Sequence, residues 1–286
     1  MKKIIILVCL VITALVIIIY YSQESETYLK EPESSRVITI GGAVTEIVWA
    51  LGGNGQVVAV DQSSTYPPEV SNLPDVGYIR QINAEGVLAM NPTLILTTQS
   101  LAPKVAAEQI INSGVRVVST PIIQDLDSLI TAIGEFGKAL NKNKEAQELQ
   151  SKIRTKANKI DSTYKKQKKP RMLLLINHSG RFSAAGKGTK GNGFLEWTGG
   201  KNVFDSINGY KSISQEALLS EKPDIILFAQ SSATPPSSPK DIFDKLGISV
   251  LSEAGTQVYP IQMGHLSFGP RTVDMVLELV EKIYSK

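Results

Sequence analysis

The chain has one cysteine and two histidines among 286 residues. A single cysteine excludes an internal disulfide framework in any compartment. The two histidines, His178 and His265, lie far outside the paired spacing of a zinc enzyme, and neither a Gly-x-Ser-x-Gly elbow nor a Cys-His pairing pattern occurs. Serines are plentiful, but a serine without a located base and acid is only a serine. Charge of one sign is lacking too: 30 basic against 27 acidic residues give a formal net charge of +3, too little to argue for nucleic acid. The basic cluster at 165–171 lacks interleaved aromatics and reads as a solvated linker. Long apolar runs are missing after the N-terminus, where Met1-Lys2-Lys3 precedes an apolar stretch at 4–20. That stretch has the features of an export signal and lies near the lower limit for spanning a bilayer. No small-x-small cleavage site follows, and Val8 before Cys9 is bulkier than a lipoprotein cleavage site expects, so a cleaved signal and a retained anchor both stay open.

What remains is an ordinary globular composition, 42% apolar and 20% charged, and a length that suits one large or two ordinary domains. A repeat favours two: residues 73–96 carry a turn, a tyrosine, a short helix, a Pro-containing break and a buried strand, and 209–227 carry a similar series. Strands are expected at 37–40, 57–60, 93–98 and 115–119, alternating with helices at 45–51, 84–90, 103–113 and 126–140. From 142 to about 166 runs one charged amphipathic helix without Gly or Pro, closed by Pro170. Beyond it, strands are expected at 172–176, 225–229 and 258–261, and helices at 194–198, 241–246 and 272–284, with a Ser/Pro-rich loop at 231–240. This pattern predicts an α/β fold of two lobes, each with a mostly parallel central sheet, joined by one long interlobe helix stiff enough to limit hinge motion. The expected organisation is a signal or anchor with polar linker at 1–35, an N-terminal lobe at 36–141, the linking helix at 142–169 and a C-terminal lobe at 170–286.

Tyr78 follows Gly77 after a turn, and Arg80 falls two residues on, where both can point into one cleft. A phenol titrates near ~10, so a tyrosinate at neutral pH needs a metal or cation; ferric haem iron supplies one, and a neighbouring guanidinium can hydrogen-bond the phenolate. The plainer alternative packs Tyr78 under its loop and leaves Arg80 as a surface charge. His178 ends the first strand of the second lobe and has three readings: a second axial ligand, a ligand to another haem, or a hydrogen-bonding residue. His265 is a weaker alternative ligand beside Met263, which reads as packing. Arg181, Lys187 and Arg271 offer positive charge for ligand carboxylates, or are simply surface cations; Arg271 also suits capping near the last helix. Glu85 and Glu216 sit at matching helix starts, favoured there by the helix dipole and equally suited as one acidic point per lobe for docking a partner. The glycine-rich stretch 181–193 contains Ala185-Gly-Lys-Gly-Thr189, which lacks the order of a phosphate loop and is not read as directly following a strand, so nucleotide binding is disfavoured.

Residues 38–52, Thr65-Tyr-Pro-Pro68, Leu73-Pro-Asp-Val-Gly-Tyr-Ile-Arg-Gln81, 185–189, Gly209-Tyr-Lys211 and Phe268-Gly-Pro-Arg-Thr272 together resemble the haem-binding substrate-binding proteins of bacterial ABC haem importers. The resemblance covers nearly everything from Arg36 onward, and its two-lobe, helix-linked plan is shared with vitamin B12 and siderophore binders. It implies a non-enzymatic, monomeric receptor, periplasmic or on the outer face of the cytoplasmic membrane. Such a receptor takes ferric haem b as transported ligand and hands it to an ABC permease powered by ATPase subunits. In that family the tyrosine matching Tyr78 ligates iron and the residue matching Arg80 interacts with it. Some members add a second-lobe histidine in the region of His178, and acidic residues matching Glu85 and Glu216 dock on the permease. A corrinoid or ferric-siderophore binder on the same fold is the alternative, and a haem- or porphyrin-modifying enzyme is the alternative of another class.

Overall fold

The β-branched run Val37–Ile40 forms β1, every residue of which is buried, and the equally apolar Val57–Val60 forms β2. A computed structural model describes residues 35–99, 101–178, 181–231 and 237–284, without the His178 side chain; the export or anchor reading of 1–35 lies outside the described residues except for Ser35. Arg36–Lys286 forms a unit of its own. Between and after the first two strands come α1 (Gly42–Ala50), α2 (Ala84–Ala89), β3 (Leu94–Thr97), α3 (Lys104–Asn112), β4 (Arg116–Ser119) and α4 (Leu126–Ala139). The four strands make one parallel sheet in the order β2-β1-β3-β4, with Ile38 beside Ile95 and Leu96 beside Val118. Side-chain caps start the helices where the sequence supplies them: Asn83 accepts from the Glu85 N–H at 2.9 Å, and Asp125 and Ser128 form a capping box.

The linking helix, α5 (Asn143–Tyr164), has 22 residues and is roughly 33 Å long at 1.5 Å per residue. Its buried Ala146, Ile153, Ala157 and Ile160 share one face, and its other side is charged. The second lobe contains β5 (Arg171–His178), β6 (Arg181–Ala185), α6 (Lys190–Trp197), β7 (Lys201–Asn202), β8 (Tyr210–Ser212), α7 (Gln215–Glu221), β9 (Ile225–Gln230), α8 (Pro239–Leu246), α9 (Ser249–Glu253), β10 (Gln257–Gln262) and α10 (Pro270–Tyr284). The sheet order is β10-β9-β5-β6-β8, parallel through β10, β9 and β5, then antiparallel at β6 and β8. Two expectations for this region are corrected. The stretch 181–193 is a strand, a tight turn and a helix, so Ala185-Gly-Lys-Gly-Thr189 does directly follow a strand, and α6 begins at Lys190 because Thr189 accepts from the Asn192 N–H at 3.1 Å. The short strand β8 was hidden inside the repeat; its residues are all exposed, so they carry no alternating apolar signal.

Three apolar clusters account for the packing. One lies behind each sheet: Ile38, Ile40 and Ile95 belong to the first lobe's, and Leu173, Leu175 and Phe228 to the second's. The largest joins both lobes, with Val37, Val44 and Leu96 from one and Leu174, Leu227 and Phe194 from the other, alongside Ile153 of α5 and Val276 of α10. A shared core restrains the lobes more strongly than a stiff helix alone, because separating them would expose that apolar surface.

Candidate functional site

A cavity of about 1130 Å³ lies between the lobes. Its wall includes Gly41 and Thr98 beyond the ends of β1 and β3, and Asn177 and Ser231 at the ends of β5 and β9. It therefore sits at the carboxyl ends of the parallel strands, where open α/β sheets place their ligands.

Tyr78 reaches this cavity because its loop is tied to β2. The Val60 N–H donates to the Pro74 carbonyl at 3.0 Å, the Val76 N–H to the Val60 carbonyl at 2.9 Å, and the Gln62 N–H to the Gly77 carbonyl at 3.0 Å. Gly77 then turns the chain with φ of 95°, a conformation that a side chain would strain, and Asp75 accepts from its N–H at 2.7 Å. With Val76 and Ile82 buried on either side, Tyr78 projects outward and is 43% exposed. Tyr78 and Arg80 both line the cavity, and Arg80 is exposed at its edge. The facing loop is ordered by Asp61, buried at 1% exposure, whose carboxylate accepts from the Gly41 N–H and from the hydroxyls of Ser63 and Ser64 at 2.7–2.8 Å. That network fixes Gly41 and Ser63 in the cavity wall.

From the second lobe come two residues the sequence reading did not select as ligand contacts. Tyr210 on β8 lines the cavity, and its hydroxyl oxygen accepts from the Gly191 N–H at 3.1 Å. Burial pushes its pKa above the ordinary phenol value, partly countered by the Gly191 and Thr189 hydrogen bonds, so it is a neutral phenol. The two repeats therefore bring a tyrosine each to one cavity in different settings, Tyr78 in a loop and Tyr210 in a strand. Lys190, the first residue of α6, also lines the cavity, and its Nζ donates to the Ser267 carbonyl at 3.1 Å. Burial pulls its ammonium down to about 8.

The remaining sequence candidates are placed as follows. His178 ends β5, with its side chain outside the described residues. Arg181 and Lys187 are exposed and do not line the cavity. Arg271 is taken up by Glu46: its Nε and Nη2 donate to the two carboxylate oxygens at 3.0 and 2.7 Å, and its guanidinium lies 3.4 Å over the Tyr66 ring. It joins α10 to α1 and does not line the cavity. Gly269 lets this pair form, since a Cβ there would stand 2.6 Å from Glu46 Oε2. His265 does not line the cavity, whereas Met263, expected to pack, does and is 36% exposed. Glu85 and Glu216 are exposed in the first turns of α2 and α7. Glu216 is held below the usual carboxylate range by its own backbone N–H and by the Ser214 hydroxyl, so it is ionised.

A bilobed α/β fold with its cavity between two sheets, both lobes contributing residues, defines a ligand-capture protein. The chain belongs to the periplasmic binding protein family, whose profile matches residues 37–251. It is similar to the periplasmic heme-binding protein BhuT solved in complex with two hemes, at 28% identity and a TM-score of 0.77, covering 87% of this chain and 98% of that one. It is also similar to a periplasmic heme-binding protein from Pseudomonas aeruginosa, at 29% identity and a TM-score of 0.75, covering 88% and 93%. A vitamin B12-binding protein from Yersinia pestis is 26% identical over 196 residues, 68% of this chain and 69% of its own length.

Proposed function

We propose that this chain is a non-catalytic, extracytoplasmic receptor that captures ferric haem b in the interlobe cleft and delivers it to an ABC permease driven by its ATPase subunits. The lobes correspond to 36–141 and 170–286, with 142–169 between them. The observation that carries the reading is an exposed tyrosine, Tyr78, presented with Arg80 into a cavity of about 1130 Å³ whose wall is largely apolar. An apolar wall suits the faces of a porphyrin, and a phenolate suits ferric iron while Arg80 offsets its charge. The resemblance of the Val-Gly-Tyr-x-Arg segment and the haem binding of BhuT and the Pseudomonas protein support haem over other ligands. His178 is a second candidate iron ligand, and Arg181 and Lys187 are rim cations for the propionates once the ligand is in. Arg271 contributes indirectly, by holding α10 against α1 behind the cavity wall. Delivery to the permease uses Glu85 and Glu216, one acidic residue on each lobe.

The similarity to a vitamin B12-binding protein favours one second reading, a corrinoid ligand in the same cleft. Equilibrium titration of the purified protein with ferric haem and with cobalamin separates the two. The haem reading expects saturable binding of haem and none of cobalamin at the same concentrations, and the reverse order rejects it.

A further inference from the structure

The cavity's charge is one-sided: among the described residues lining it, Arg80 and Lys190 are cationic and none is acidic. The two cations differ in setting. Arg80 is exposed at the rim, whereas Lys190 is largely enclosed and gives one of its three ammonium donors to the neutral Ser267 carbonyl at 3.1 Å. Burial lowers its proton affinity, and among the described residues no carboxylate is paired with it. Stability does not explain this placement. An enclosed ammonium without a counter-charge is costly, and a cation in the first turn of a helix opposes the helix dipole. Ser267, whose carbonyl Lys190 contacts, donates its hydroxyl to Glu46 at 3.4 Å, and Glu46 is already paired with Arg271. The Tyr210 hydroxyl oxygen already accepts from the Gly191 N–H at 3.1 Å, and Tyr210 is a neutral group that brings Lys190 no counter-charge.

We propose that Lys190 is the carboxylate-recognition residue of the cleft, its ammonium pairing with a carboxylate arm of the bound ligand. The inference rests on the haem reading, because haem presents two propionates, but it goes beyond that reading by placing a carboxylate contact inside the cavity wall, which Lys190 lines and Arg181 and Lys187 do not. Binding brings the enclosed cation the anion it lacks, and the low dielectric that penalises it when empty strengthens the pair when filled.

The test is a matched titration of ferric haem and ferric haem dimethyl ester against the full chain and its Lys190→Met and Lys190→Arg variants, with circular dichroism verifying the fold. A charge-assisted hydrogen bond corresponds to roughly 10- to 100-fold in affinity. The wild type is expected to prefer haem over the ester by that factor. Lys190→Met should weaken haem by the same factor and leave the ester unchanged, while Lys190→Arg keeps a preference for the acid. If Lys190→Met retains the full preference, or if the wild type binds haem and ester equally, the Lys190 assignment is overturned while haem capture stands. If the folded wild type binds neither, both the assignment and the haem reading fall.

Discussion

Replacing Glu46 with Gln keeps the shape of the side chain and removes the charge that Arg271 grips from the other lobe. The pair is bidentate, with Glu46 5% and Arg271 29% exposed at their side chains. Removing one partner of a buried pair costs about 3–5 kcal/mol, most of it from the charge left behind. Arg271 keeps part of its hydration and its stacking on Tyr66, which places the expected loss at about 2–3 kcal/mol. With a urea slope of about 3 kcal/mol/M, the unfolding midpoint should fall by roughly 1 M. The decisive assay is a double-mutant cycle of Glu46→Gln, Arg271→Met and both together. A coupling of at least about 1.5 kcal/mol is expected for two residues gripping each other directly. A coupling below about 0.5 kcal/mol would refute the argument that this pair ties α10 to α1.

Two further outcomes follow from the same geometry. The Lys190 ammonium has a folded pKa of about 8 against 10.5 for an unperturbed lysine, so the unfolded chain binds more protons between those values and stability should rise with pH across that window. Thermal midpoints of the ligand-free wild type should therefore approach those of Lys190→Met as pH climbs from 7.5 to about 10, and a constant difference would count against the burial argument. Reversing charge at Glu85 and Glu216 together should leave haem affinity unchanged and slow haem transfer to the reconstituted permease; unaltered transfer would remove both from docking.

The scaffold was legible where local chemistry decided it. Continuous β-branched runs marked 37–40 and 57–60, and the Gly- and Pro-free charged stretch from 142 marked α5, because burial on both faces and uninterrupted helix periodicity leave direct traces. The segment 181–185 was obscured: it pairs antiparallel with β5, a contact its own composition does not signal, and the glycines after it dominate the local sequence. In the site, Tyr78 and Arg80 were legible because the turn that presents them is encoded next to them in the chain. Lys190 carried no comparable signal, since its setting depends on Ser267, 77 residues away. The Arg271–Glu46 pair was hidden for the same reason: Glu46 stands 225 positions earlier, and only the packing of α10 on α1 joins them.

The central claim, that Tyr78 captures haem iron, is tested most directly by absorption and spin-resonance spectra of ferric haem bound to the wild type and to Tyr78→Phe. Phe keeps the ring and its packing but removes the phenolic oxygen. The account predicts a ferric-phenolate spectrum in the wild type that is lost in Tyr78→Phe, with affinity reduced at least roughly 100-fold, the equivalent of about 2.7 kcal/mol. An unchanged spectrum and affinity in Tyr78→Phe would contradict it.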